Sequence, residues 1–320
     1  MAGLPKTEGV DALSHRESWV RWSRSGGVFL SALSLGVTVA LAGGAGTTGA
    51  ELLRFDAGAR SESLGQAMTA VPDGPNALAS NPAGLAGPRS HEAVFEHQEG
   101  VLGTAREYGA VAFRFSTRTA VGISANVLRL GAFTGRDGAG RDTGAFGGSS
   151  VILTAGAARR VGRVAFGLSV KAIRETLAGY TAQTGAVDVG ALVQVSRGLA
   201  FGAAVQNLGP GLTFMSDTAP LPRRLKLGGA ARVMPGLLLT ADAVLDDGRI
   251  VGQGGTEYLL GPVALRLGYA GTAVASRESA MPFFAGAGFR LGRVGLDYAF
   301  SSLADLGASH RFSMGFRFGR

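Results

Sequence analysis

Cysteine is absent from this 320-residue chain, which removes disulfide frameworks, thiol catalysis and Cys-based zinc sites together. Proline is scarce at 11 residues, whereas glycine reaches 52 without a collagen-like period. Hydrophobic residues make up 46% against 17% charged, a balance too apolar for disorder, and this much glycine disfavours helical bundles. It suits twisted strands and tight hairpins instead. No apolar run approaches the roughly 20 residues that a bilayer-crossing helix requires. The chemistry-bearing motifs are missing too: there is no P-loop, no Gly-x-Ser-x-Gly elbow and no His-Glu-x-x-His. A Gly44-x-Gly46-x-x-Gly49 match to the dinucleotide fingerprint has no strand before it. The expectation is a protein that is not an enzyme, with no catalytic residues, cofactor or metal.

What is present begins with residues 28–42, an uncharged run preceded by Arg21 and Arg24 and ending in Ala40-Leu41-Ala42. That is the layout of a Sec signal peptide, a basic flank, a short apolar core and a small-x-small cleavage site. Residues 1–50 are therefore expected to be a leader, cut between 42 and 50; a retained anchor or a buried helix is the alternative.

From residue 91 onward the hydrophobic pattern has a period of two, as in strands with one apolar face. Val164, Phe166, Leu168, Val170 and Ala172 alternate with Gly167, Ser169 and Lys171, and His310, Phe312, Met314, Phe316 and Phe318 alternate with Arg311, Ser313, Gly315 and Arg317. A soluble β-sandwich would show the same alternation, so periodicity leaves both architectures open. Connection lengths separate them. About 14 strands are expected between 91 and 318, an even number, and their connections alternate between tight and long. Tight ones include Thr117-Arg118, Val161-Gly162, Arg197-Gly198, Pro235-Gly236, Gly261-Pro262 and Gly292-Arg293; long ones include 132–148, 176–183, 209–222, 248–251, 272–281 and 302–308. A membrane barrel explains this parity, because short turns face the periplasm and longer loops face outside. Both tryptophans, Trp19 and Trp22, fall in the leader, so an aromatic girdle must use residues such as Phe113, Tyr258, Tyr269, Phe289, Tyr298, Phe312 and Phe318.

Residues 51–90 read differently, as a compact small-residue segment on the periplasmic side of the barrel or inside it. Asp73-Gly74-Pro75 starts a short helix over Asn76–Ser80, and Asn81-Pro82 ends it, because proline disfavours helical geometry in the residue before it. Gly58-Ala59-Arg60, Leu64-Gly65, Asn76-Ala77-Leu78 and Asn81-Pro82-Ala83-Gly84-Leu85 resemble the opening of the PorV/PorQ family, a branch of the FadL-like outer-membrane proteins. The resemblance continues through Asn207-Leu208-Gly209, Leu225-Lys226-Leu227-Gly228, Leu265-Arg266-Leu267-Gly268-Tyr269, Asp297-Tyr298-Ala299-Phe300 and His310-Arg311-Phe312-Ser313. It implies an all-β, 14-stranded antiparallel transmembrane barrel over 91–320, closed by an N-terminal hatch over 51–90 that carries Asn76, Asn81, Pro82 and Gly84. It also implies a bacterial outer-membrane location and one of two roles. FadL-like members pass fatty-acid-like, hydrophobic or amphipathic solutes, and PorV-like members are type IX secretion subunits that bind cargo or partner proteins. A porin-like structural protein with no dedicated ligand is a third possibility.

The remaining candidates are ionisable. On alternate strand positions, Lys171, Arg174, Arg224, Lys226, Arg266 and Arg290 face the lumen with Asp188, Asp242, Glu257 and Asp297, as a network that holds the hatch or attracts an anionic headgroup. The net charge of +8 raises nucleic acid as a partner. However, the basic residues are spread over many strands without a patch of stacking aromatics, so no nucleic-acid partner is expected. His91, Glu92, Glu96 and His97 do not make a metal site, because His91 and His97 lie about 20 Å apart along one strand.

Overall fold

A computed structural model describes residues 48–87, 90–271, 283–302 and 307–319; the proposed leader up to residue 47 and the Gly44 fingerprint lie outside them. Fourteen strands close into one antiparallel barrel. In chain order they are β1 (His91–Glu99), β2 (Ala105–Arg114), β3 (Thr119–Arg129), β6 (Gly148–Val161), β7 (Val164–Leu177), β8 (Tyr180–Gln194) and β9 (Leu199–Leu208), then β12 (Arg224–Met234), β13 (Leu237–Asp246), β14 (Arg249–Leu260), β15 (Val263–Ala270), β16 (Phe283–Leu291), β17 (Val294–Ser302) and β18 (Ala308–Phe318). Each pairs with its chain neighbour, and β1 closes the ring on β18 from His91 opposite Phe318 to Glu99 opposite His310. Two hairpins stand outside the ring: β4 (Phe133–Arg136) with β5 (Asp142–Phe146), and β10 (Leu212–Phe214) with β11 (Asp217–Ala219). The long connections read as loops at 132–148 and 209–222 fold back on themselves there.

All long connections emerge at one end, the loop end, and the turns after β2, β6, β8, β12, β14 and β16 lie at the other, the turn end. Two connections expected to be long are instead two-residue turns at the loop end. Ala178-Gly179 and Asp247-Gly248 both have positive φ at both positions, the I′ geometry whose twist matches paired strands. The alternation of short and long is thus less regular than the sequence implies, while the strand positions stand.

The face assignments decide between barrel and sandwich. Phe166, Leu168 and Val170 on β7, Ile123 on β3, Leu267 on β15 and Phe312 on β18 are all more than half exposed on the outside of the ring. Their alternate neighbours Ser169, Lys171 and Arg266 are buried inside. A continuous apolar exterior of this extent fits hydrocarbon, not water, and closure leaves no unpaired edge in the bilayer. The barrel therefore spans a membrane with its strands. Among the described residues no helix is long and apolar enough to cross one. The aromatic girdle divides: Phe113, Tyr258, Phe289, Phe316 and Phe318 lie toward the turn end, and Tyr269 packs on Phe283 at the loop end with ring centroids 6.3 Å apart.

The lumen is filled by residues 49–87. They begin at the loop end, where the Gly49 N–H donates to the Pro220 carbonyl and the Ala50 N–H to Glu175. They run down through α1 (Ala59–Ser63) and α2 (Ala77–Ser80) to the turn end, where Arg160 donates to the Ala86 carbonyl at 3.2 Å. Of the apolar cores that form between this segment and the wall, two are the largest. Leu52 and Leu53 pack with Ile152 and Ile173, and Leu78 and Leu85 pack against the alanines Ala112, Ala120, Ala158 and Ala165. Glycine makes the rest possible. A Cβ at Gly167 would collide with the Pro82–Ala83 backbone, and one at Gly268 with the Leu64–Gly65 backbone.

Candidate functional site: a plugged lumen with a cavity at each end

The segment is pinned by ion pairs that link it to the wall at successive depths. Nearest the turn end, the Arg60 guanidinium forks onto Glu257 with contacts of 2.8 and 2.9 Å, and Arg266 donates to the same carboxylate at 2.7 Å and to Asp297 at 2.7 Å. Midway, the Lys226 ammonium lies 3.0 Å from Asp56, both fully buried. Asp242 accepts from the Thr69 N–H at 2.9 Å and from its hydroxyl at 2.6 Å. On the opposite wall Lys171 pairs with Asp188 at 2.7 Å and donates to Asn207 at 2.7 Å. Asp188 in turn accepts from the Asn207 N–H at 2.8 Å. Asn207 has a φ of 62° where β9 bulges against β8, and asparagine tolerates that left-handed conformation.

Eight of the ten residues expected in a lumen network therefore enter buried ion pairs or hydrogen bonds, seven of them through the pairs above and Arg224 through the Arg54 carbonyl at 2.7 Å. Arg290 lines the turn-end mouth, where its charge faces Glu92. Arg174 is a correction: it points outward near the loop end. It lies three residues from the inward Lys171, and on a strand an odd spacing means opposite faces.

The Asn-Pro motif also has a position. Asn81 donates its amide to the Thr69 carbonyl at 2.9 Å and the Ala191 carbonyl at 3.2 Å, while its own oxygen caps the next turn at the Ala83 N–H. Pro82 opens that turn, Gly84 lies against Pro72 and Ala77, and Asn76 abuts Gly58.

The sequence reading missed the segment's own charges. Arg54 bridges to Asp246 and Asp247. Arg311 holds Glu62 at 2.6 Å and donates to the Asp56 carbonyl at 3.0 Å. Arg106 donates to Asn126 at 2.9 Å and to the Asp56 carbonyl at 3.2 Å. Glu96 accepts from the Gly58 N–H. The signal was there: Arg54, Asp56, Arg60 and Glu62 are charges in a segment otherwise made of small residues.

Among the cavities this packing leaves, one lies at each end of the lumen. The loop-end cavity, about 420 Å³, has walls that include Phe55, Val101, Leu128, Val251, Ala270 and Phe284, over a floor of Arg54, Arg106, Arg224 and Arg311 with their carboxylate partners. Around that floor five cations (Arg54, Arg106, Arg224, Lys226, Arg311) meet six carboxylates (Glu51, Asp56, Glu62, Glu96, Asp246, Asp247). The floor carries no surplus of positive charge. The turn-end cavity, about 510 Å³, is lined by polar groups including Arg160, Arg232, Arg290 and Asp73. No group of metal-ligating side chains occurs among the described residues.

The fold has counterparts among solved structures. The toluene transporter TbuX of Ralstonia pickettii matches with a TM-score of 0.60 at 17% identity, over 82% of this chain and 98% of its own. The toluene transporter TodX of Pseudomonas putida gives 0.61 at 14% identity, over 82% and 99%. A FadL homologue of Pseudomonas aeruginosa gives 0.53 at 14% identity, over 80% and 96%. The fold is FadL-like. No family model and no curated protein matches the sequence, so the narrower PorV/PorQ resemblance rests on its motifs alone. Those motifs are structural in this FadL-like barrel: Asn81-Pro82 seats the segment, and Asn207 forms the bulge.

Proposed function

We propose that this protein is an outer-membrane channel for hydrophobic solutes, taking them up from outside in the loop-end cavity and releasing them when residues 49–87, acting as a hatch, shift. The observation that carries this reading is an apolar cavity open to the loop end and floored by a plug. A solute the size of a single aromatic ring, burying roughly 200 Å² of apolar surface, gains about 5 kcal/mol there at 25 cal/mol per Å². That corresponds to a dissociation constant on the order of 0.1 mM. Such binding captures a solute yet lets it leave, as a passage requires. The fold likeness to toluene transporters supports the same class of cargo. The floor's balanced charge favours uncharged solutes over carboxylates, because each guanidinium there already has an acceptor and a new anion must displace one.

The test is uptake of an uncharged apolar fluorophore by intact Gram-negative cells lacking their own hydrophobic channels. Expression of the protein raises the initial rate, and Phe284→Arg, which puts an unpaired charge into the cavity wall, lowers it at least about tenfold at equal surface level. Equal rates with and without the protein would overturn the proposal.

A further inference from the structure

The two ends of the barrel differ in charge. Of the six turns at the turn end, four carry an arginine: Arg118, Arg163, Arg197 and Arg293. Arg159 joins them on the outward face at the end of β6. All five are exposed, and none lies within ion-pair distance of a carboxylate among the described residues; Arg163 donates only to the Val195 carbonyl, at 3.1 Å. Neither the six turns nor the outward positions beside them hold an Asp or Glu. The loop end is mixed, with Asp137 beside Arg141 and with Asp142, Asp217 and Asp247. Soluble surfaces intersperse both signs. This collar does not.

Its local sequence repeats as well. Val161-Gly162-Arg163, Val195-Ser196-Arg197 and Leu291-Gly292-Arg293 each place an exposed apolar side chain two residues before the arginine, and Phe115 stands three before Arg118. Those apolar residues end the lipid-facing belt, with Phe115 at 74% and Leu291 at 71% exposure. Val161 and Leu291 pair directly with Val164 and Val294, so Arg163 and Arg293 stand in the turn itself, just past the last lipid-facing pair. At that place a long guanidinium side chain reaches the headgroup level while its apolar neighbours stay in the hydrocarbon.

We propose that this collar binds the phosphates of anionic phospholipids in the leaflet at the turn end. Guanidinium forks match phosphate oxygens in pairs, and a collar of single sign has no internal competitor for them. A phospholipid is favoured over an acidic soluble protein by position: Phe115, Val161, Val195 and Leu291 are embedded in lipid beside the charges, so a water-borne partner would meet headgroups first. The inference requires only that the barrel spans a bilayer, and it is independent of the cargo.

The experiment is native mass spectrometry of the full chain released from nanodiscs containing equal phosphatidylglycerol and phosphatidylcholine. The protein retains phosphatidylglycerol about fivefold over phosphatidylcholine, the effect of about one well-placed arginine contact or more. The variant R118Q/R163Q/R197Q/R293Q loses that preference, whereas R136Q/R141Q at the loop end keeps it. Folding of each variant is checked by the shift in gel mobility on heating. If the fourfold variant fails that check, R118Q/R293Q replaces it and lowers the preference at least twofold. Equal retention of the two lipids by the unaltered protein would overturn the proposal. So would an undiminished preference in the folded turn-end variant, or tight, variant-sensitive capture of poly-glutamate in neutral nanodiscs without phosphatidylglycerol enrichment.

Discussion

Glu257 carries two obligations, one to Arg60 of the luminal segment and one to Arg266 of the wall. Replacing it with Gln keeps the shape and removes the charge that both guanidinia face. Breaking a buried pair by deleting one partner costs about 3–5 kcal/mol. Glu257→Gln is therefore expected to cut hydrogen-exchange protection of residues 56–66 by about 100-fold or more while the barrel strands keep theirs. Asp137, in the β4–β5 turn, shows a pH effect instead. It accepts from the Arg141 and Ala139 N–H groups and the Arg141 guanidinium, and the Arg141 contacts, backbone first, hold its pKa below the ordinary carboxylate value. A depressed pKa stabilises the turn at pH values above the unfolded value of about 3.9, and that contribution disappears as pH falls through the lower folded value. Amide chemical shifts of Ala139 and Arg141 are expected to stay constant from pH 7 to about 5 and to move together only below about 4. The residues of the Asn-Pro motif were legible in the sequence because their roles are local. The partners of Arg60 were not, since Glu257 is 197 positions away, and only closure of the ring brings them together. Arg174 was misplaced by counting charge rather than parity.

At the scale of elements, the strands were legible because period two and punctuation by Gly and Pro are both local signals. β13, β15 and β17 each begin directly after an expected tight turn, Pro235-Gly236, Gly261-Pro262 and Gly292-Arg293. The tight turns at 178–179 and 247–248 were not legible as such, because the charged and polar residues flanking them read as loop although they pair. Nor was the purpose of much of the glycine. Read as twist and turn material, Gly167, Gly190 and Gly268 are instead inward-facing clearance for the backbone of the segment. Gly167→Val tests this. The wall cannot yield to a side chain facing the Pro82–Ala83 backbone, so overpacking costs about 1–3 kcal/mol or more. The variant is expected to assemble its barrel but to pass ions in planar bilayers at a conductance several-fold above the plugged protein. An unchanged conductance would place the segment's seat elsewhere.

For the whole molecule, three features act together: an apolar exterior, a loop-end floor whose charges neutralise one another, and cavities of opposite character at the two ends. The first could be read from alternation only together with the connection lengths, since a barrel and a sandwich share the same alternation and differ in which face is wet. The second and third could not, because they depend on which loop-end and turn-end residues converge once fourteen strands close. At the loop end, Asp56 and Glu62 of the segment supply the negative charge that Lys226 and Arg311 of the wall face, whereas the turn-end cavity is lined by more arginines than carboxylates. Crystals soaked with a brominated monocyclic aromatic and measured at the bromine absorption edge decide whether the loop-end cavity receives an uncharged apolar solute. An anomalous peak enclosed by Phe55, Val251 and Phe284 is expected. Peaks confined to the lipid-facing surface, with that space filled only by solvent, would contradict it.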